Sequence, residues 1–170
     1  MNRRLLCGLV LMMIVFTACA QTKKTTKKKK KVVKTQSSIT SIDMHRTACY
    51  GKCPDYRLIL TSDGTATYIG RKFAPYPGTY VKKINADKVQ ELFRQFERYR
   101  VDTCSERYKT IPDIPHVMYT ITMKGNEKNI DNANSPFAPK FLKGLADEMD
   151  KLTPIDGTWK KTESWTDGQK

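Results

Sequence analysis

Residues 56–70, YRLILTSDGTATYIG, carry the clearest folding signal in this chain. Apolar side chains alternate with their neighbours over residues 56–61, which is the period-two pattern of a β-strand with one buried face. Gly64 follows an aspartate at the turn, and glycine accepts the positive φ that tight hairpins require. Residues 66–70 then lead the chain back. The stretch therefore predicts an antiparallel β-hairpin.

Further strands are predicted on both sides of this hairpin. Residues 41–46 alternate in the same way and predict a strand before it. After a break at residues 75–78, residues 79–84 predict a fourth strand. The alternating run over residues 116–123, a glycine turn and residues 127–131 predict a second hairpin, formed by a fifth and a sixth strand.

Two helices are predicted from apolar residues at helical spacing. Asn85 is placed as the N-cap of the first, since its side chain can accept a hydrogen bond from a free backbone N–H. The apolar residues of the first helix are Val89, Leu92, Phe93 and Phe96. Those of the second, which ends at Pro154, are Phe141, Leu142, Leu145, Met149 and Leu152. Asp147, Glu148 and Asp150 are expected on its solvated face.

The order β-β-β-β-α-β-β-α predicts an α+β fold. We expect a two-layer sandwich in which two helices cover one face of a mainly antiparallel sheet of about six strands. This domain is assigned to residues 39–154, and residues 155–170 to a polar, loosely ordered C-terminal tail. The strict strand–helix alternation of a parallel nucleotide-binding sheet is absent from the pattern.

The first 19 residues have the layout of an export signal. Arg3 and Arg4 precede an apolar run, and small residues lead to Cys19. The 14 residues from Leu5 to Ala18 are fewer than the roughly 20 that a membrane-spanning helix needs. The arrangement resembles a bacterial lipoprotein, which implies a signal peptide over residues 1–18, cleavage before Cys19 and acylation of that cysteine. An ordinary secreted protein, cut nearby, is the alternative.

Most of the positive charge lies next to this signal. The chain has a formal net charge of +14, and residues 19–38 hold eight lysines, between Lys23 and Lys34, and no acidic residue. From Ile39 onward, the chain has 21 basic and 17 acidic residues. A nucleic-acid partner is not expected, because that requires a basic face on the folded domain. The segment predicts a flexible tether, with anionic lipid or a cell-wall polymer as candidate partners.

A cysteine motif lies between the first two predicted strands. The pattern Cys-x-Gly-x-Cys-Pro-x-Tyr, the Asp-Gly hairpin and the later glycines resemble an uncharacterised domain family of bacterial envelope lipoproteins. The matching positions are Cys49, Gly51, Cys53, Pro54, Tyr56, Gly64, Tyr68, Gly70, Gly78 and Asp113. The resemblance covers roughly residues 41–152 and implies fold and location, but no activity. The absence of aspartate after Cys19 favours the outer membrane, by resemblance to lipoprotein sorting.

The cysteines allow more than one chemistry. An oxidising compartment favours a disulfide among Cys49, Cys53 and Cys104, with one thiol left over. The alternative is a copper or zinc site, in which Cys49 and Cys53 act with His45 or His116, because soft thiolates bind these metals. Thiol redox catalysis is disfavoured, since it normally uses Cys-x-x-Cys at a helix N-terminus.

No catalytic motif stands out elsewhere. The chain lacks a glycine-rich phosphate loop before a helix and a Gly-x-Ser-x-Gly motif. Arg46, Tyr56 and Asp113 are candidate binding residues, and they would meet only if the proline-flanked loop of Asp113 folds over the first strand. We therefore expect a lipid-anchored envelope protein with a non-enzymatic binding or structural domain, no cofactor and an envelope protein as a candidate partner.

Overall fold

The computed structural model describes residues 36–164. The predicted signal peptide, the lipidation site at Cys19 and the tether lysines lie outside the described residues. Within residues 36–164, no helix combines the length and the apolar character that crossing a membrane requires.

The described residues form one antiparallel sheet and two α-helices, which confirms the predicted α+β class. In chain order the elements are β1 (Ile39–Arg46), β2 (Tyr56–Thr61), β3 (Thr65–Gly70), β4 (Gly78–Lys83), α1 (Ala86–Arg98), β5 (Val117–Met123), β6 (Asn126–Ile130), α2 (Lys140–Leu152) and β7 (Lys160–Glu163). The seven strands lie in the order β6-β5-β1-β2-β3-β4-β7. The sheet therefore has one strand more than the sequence predicts.

The predicted hairpin and helix cap are both present. Gly64 has a φ of +87°, and a Cβ atom there would lie 2.4 Å from the carbonyl oxygen of Ile84. Only glycine fits such a turn without displacing the backbone. The Asn85 side chain accepts a hydrogen bond from the backbone N–H of Asp87 at 2.8 Å, so α1 begins where the sequence predicts.

One face of the sheet packs against both helices. Tyr119 on β5 joins the layers, because its ring meets that of Phe96 on α1 edge-on at 5.6 Å. Its hydroxyl donates to the carbonyl oxygen of Leu142 on α2 at 2.7 Å. The alternate residues of the central strand β1, such as Asp43, point to the opposite face and are half-buried. The hydrophobic core thus lies between the sheet and the helices.

The C-terminal segment is more ordered than the sequence predicts. Trp159 is only 7% exposed, and its indole N–H donates to the carbonyl oxygen of Pro154 at 2.9 Å. Its ring meets that of Tyr68 at 6.4 Å, and β7 pairs with β4. The expectation of a loosely ordered tail is therefore wrong for residues 159–163. The polar sequence of β7 does not predict a strand, because an exposed edge strand needs no apolar face and therefore shows no alternating pattern.

Replacing Trp159 tests whether this segment stabilises the domain. We expect Trp159→Ala to lower the free energy of unfolding by about 3 kcal/mol, because it removes a large buried side chain. Lys160→Gln, at an exposed position of β7, should change it by less than about 0.5 kcal/mol. Urea denaturation of both variants measures the difference. Equal stabilities would contradict the packed C-terminal segment.

Candidate functional site

Four loops gather at one end of the sheet, which we call the loop end. They are residues 47–55, 71–77, 111–116 and 131–138, and the antiparallel strand order brings them together. The backbone N–H of Thr47 donates to the carbonyl oxygen of His116 at 2.9 Å, and that of Ala133 donates to Val117 at 2.8 Å. Loops that join a rigid sheet in this way commonly carry the binding function of a domain.

The first of these loops is closed by a disulfide. Cys49 and Cys53 are bonded, with their Cα atoms 5.4 Å apart, and Cys104 is a half-buried free thiol. Of the pairings that the sequence left open, the structure thus has the local one. The resulting ring presents Tyr50 and Lys52 at its tip, and Tyr50 is 93% exposed.

The residues of the alternative metal site are engaged elsewhere. The His45 ring nitrogen Nε2 lies 2.8 Å from Asp55 Oδ1, and His116 Nδ1 lies 3.6 Å from Asp131 Oδ1. Among residues 36–164, no group of three or more histidine, cysteine or acidic side chains is arranged to hold a metal ion. Metal binding through Cys49 would first require reduction of the disulfide, since thiolates are the ligands.

Beside the disulfide, a charged network joins the sheet to α2. Arg46, at the end of β1, donates from Nη2 to Asp147 Oδ1 at 2.9 Å and to Asp150 Oδ2 at 2.7 Å. Its Nε also donates to Asp150 Oδ2, at 3.0 Å. The Tyr56 hydroxyl donates to Asp150 Oδ1 at 2.9 Å. We call this four-residue network the Arg46 clip.

The four clip residues line an open cleft of about 400 Å³. Its wall also includes Cys53, Pro115 and His116. An adjoining cavity of about 330 Å³ shares Pro54, Tyr56 and Asp150 with the cleft and extends toward Tyr68. The Tyr68 hydroxyl is buried without a hydrogen bond of ordinary geometry in the described part of the chain.

Burial and charge act together on these groups. Burial opposes the charge of Arg46, but Asp150 and the hydrogen bonds to both carboxylates outweigh it and raise the pKa of Arg46. Burial, followed by the charge of Asp150, raises the pKa of Tyr56. Burial also raises the pKa of Tyr68, to about 12. Arg46 therefore stays charged, and both phenols stay neutral, at physiological pH.

The second carboxylate of the clip is held ionised. Burial opposes the charge of Asp147, but hydrogen bonds from Lys143 and Arg46 keep its pKa below the ordinary value. Two of the lining groups that could act as nucleophiles are already engaged in other bonds. The Cys53 sulfur is in the disulfide, and the Thr153 hydroxyl donates to the carbonyl oxygen of Met149 at 2.8 Å. The clip and the disulfide are therefore suited to stabilising this end of the domain, and the cleft beside them has room for a ligand.

The structure brings together part of the predicted binding set. Arg46 and Tyr56 are register partners and belong to one network. Asp113 is exposed in its turn, with a φ of +64°, and does not line the cleft. Sequence reasoning missed Asp147 and Asp150, which it placed on a solvated helix face. Their i, i+3 spacing beside the apolar stripe was the available signal, because it puts both carboxylates on one side of the helix.

Exposed apolar side chains are concentrated at the loop end. Seven large ones are exposed among the described residues. Five of them lie on these loops: Tyr50, Phe73, Tyr76, Ile111 and Phe137. Lys72 lies over the Phe73 ring at 5.3 Å, and Lys109 lies over the Phe137 ring at 5.2 Å. These five residues lie on loops at the same end of the sheet, where exposed apolar side chains can contribute to an interaction surface.

A double-mutant cycle tests the Arg46 clip. We expect Arg46→Gln and Asp150→Asn each to destabilise the domain and to show a coupling energy of about 1–2 kcal/mol, because the pair is partly shielded from water. The exposed Lys151–Glu148 pair on the same helix is the control, and its cycle should show no measurable coupling. Unfolding by urea provides the free energies. Additive effects of the two clip substitutions would contradict the network.

Comparison with known proteins adds one result. No curated protein and no solved structure matches the chain. The model of the family described as "Domain of unknown function (DUF6438)" matches residues 40–153, which include β1 to α2 and every residue of the Arg46 clip. The chain therefore belongs to the DUF6438 family.

Proposed function

We propose that this protein is a lipid-anchored component of the bacterial cell envelope whose DUF6438 domain is a non-enzymatic binding module. The loop end is its binding surface. The observation that carries the proposal is the concentration of exposed apolar side chains on these loops. Such a surface costs solubility and is usually retained for an interaction.

The first two loops of the loop end are held in place by covalent and hydrogen bonds. The disulfide closes the first loop, and the backbone of Asp55 exchanges hydrogen bonds with residues 71 and 72 of the second, at 2.8 and 3.0 Å. A preorganised surface loses little conformational entropy when a partner binds. Binding rather than catalysis is supported by the cleft, where the four clip residues bond to one another and the Cys53 sulfur is in the disulfide.

Export and anchoring are supported by the sequence. The basic start, the apolar run and Cys19 have the layout of a lipoprotein signal. A disulfide is also characteristic of proteins in oxidising compartments. The lysines from Lys23 to Lys34 add attraction to an anionic surface of about 1 kcal/mol each when close to it. They supplement the lipid anchor and leave the folded domain free for its partner.

The lipid anchor is tested by covalent labelling. Cells supplied with an alkyne fatty acid should incorporate it into the protein, and intact mass should show a mature chain that begins at Cys19. Cys19→Ser should abolish the label, whereas Cys7→Ser, inside the predicted signal peptide, should retain it. Labelled Cys19→Ser protein, or a mature chain that begins elsewhere, would contradict the anchor.

The binding surface is tested by photo-crosslinking in living cells. The full-length protein carries a photoreactive phenylalanine derivative in place of Tyr50 or Phe73, or in place of Tyr99 as the control. Tyr99 is exposed at the end of α1, stacks on Phe141 and belongs to none of the four loops. We expect adducts of higher mass from positions 50 and 73 and none from position 99. Equal yields at all three positions, or none at the loops, would refute the binding surface.

A further inference from the structure

We propose that the loop end binds an anionic glycan, meaning a chain of sugar rings that carry carboxylate or phosphate groups. This inference rests on the proposed function and specifies the ligand class of the same surface. It is carried by two adjoining loops, the disulfide loop (residues 47–55) and the β3–β4 loop (residues 71–77). Together they present aromatic rings and cations side by side.

Three exposed rings lie on these two loops. Tyr50 is at the tip of the disulfide loop, and Phe73 and Tyr76 are on the β3–β4 loop. The loops join four consecutive strands in the order β1-β2-β3-β4, so that strand spacing spreads them over roughly 15 Å. Aromatic rings pack against the C–H faces of sugar rings, and tyrosine hydroxyls can bond sugar hydroxyls. The spread suits an extended chain of rings.

The same loops carry an excess of positive charge. Lys52, Arg71 and Lys72 are their cations, and in the described part of the chain none of these has a carboxylate partner. The single acid of the two loops is Asp55, which is held by His45 at 2.8 Å and whose side chain is 19% exposed. Cations without a carboxylate partner, beside an apolar surface, attract carboxylate or phosphate groups without first breaking an ion pair.

These two loops, which we call the platform, are held in place before any ligand binds. Tyr76 folds back so closely that a Cβ atom on Gly70 would lie 2.0 Å from its carbonyl oxygen. The Tyr76 ring also meets that of Tyr80 at 6.4 Å. Pro75 and Pro77 restrict the backbone on either side. A long, weakly bonded polymer benefits from such rigidity, because each contact then contributes with little ordering cost.

The position of the platform favours a glycan over a lipid surface. The chain enters the domain at residue 36 and begins β1 at Ile39, whereas the disulfide loop follows Arg46 at the other end of that strand. Eight extended residues separate these ends by about 25 Å. The platform is thus remote from the point at which the proposed tether joins the domain, and it can reach a polymer beyond the anchoring membrane.

Binding measurements with defined probes test the inference. The full-length protein in neutral detergent is titrated with alginate, a polyuronate that stands for an anionic glycan. Dextran provides uncharged sugar rings, polyglutamate provides carboxylates without rings, and mixed micelles with phosphatidylglycerol provide an anionic lipid surface. We expect tight binding to alginate at moderate salt, weaker binding to polyglutamate and none to dextran.

Two pairs of substitutions separate the contributions of rings and charges. Tyr50→Ala with Phe73→Ala, and Lys52→Gln with Lys72→Gln, should each weaken alginate binding about tenfold or more. Tyr99→Ala and Lys88→Gln, at exposed positions elsewhere, should leave it unchanged. The tether lysines are present in every variant, so their contribution cancels in the comparison. Circular dichroism confirms that each variant is folded.

The outcomes are distinct from those of the cross-linking experiment. Equal alginate affinities for the loop variants and the controls would overturn the glycan assignment. So would loop-dependent binding that favours polyglutamate or phosphatidylglycerol micelles, which indicates an acidic protein or a membrane. In either case, cross-links from position 50 would leave the proposed binding surface standing. If neither cross-links from position 50 nor loop-dependent binding of alginate were observed, the proposed function and the ligand class would both be refuted.

Discussion

The geometry of the loop end depends on the half-buried charge of Arg46. Its side chain is 21% exposed and lies on the central strand, where its register partners are Tyr56 on β2 and Val117 on β5. Without carboxylates nearby, a guanidinium at the margin of the core would be costly. Asp147 and Asp150 remove that cost, and in doing so they fix α2 against the strand ends from which the loops emerge.

A row of aromatic rings extends this constraint across the sheet. Tyr56 stacks on Tyr68 at 5.4 Å, and Tyr68 meets Tyr80 edge-on at 6.2 Å and Trp159 at 6.4 Å. The row runs from the clip on β2 through β3 and β4 to the segment that leads into β7. Aromatic pairs contribute beyond the area that they bury. The order of the C-terminal segment is thus linked to the same end of the sheet as Arg46.

The sequence predicted what local patterns determine. Alternation placed the strands, Gly64 placed the hairpin and Asn85 placed the start of α1, because each signal depends on the nearest neighbours in the chain. The partnership of Arg46 with Asp150 spans 104 residues, and no local pattern encodes it. The burial of Trp159 was not predicted for a related reason, since it depends on the distant Tyr68 and the residues that flank Trp159 are polar. Asp113 was predicted from its two prolines, which fix a turn but do not direct it toward the cleft.

The family match covers the scaffold of the domain and leaves out the C-terminal segment. The family match ends at residue 153, so it contains strands β1 to β6, both helices and the clip, whereas Trp159 and β7 follow it. An unpaired β4 would expose backbone donors and acceptors to other chains, and β7 covers that edge. The exposed Tyr50 and Lys52 lie at the tip of the disulfide loop, outside the hydrophobic core. A closed ring of this length adds little global stability, so the disulfide mainly fixes the local conformation of the loop that presents Tyr50 and Lys52.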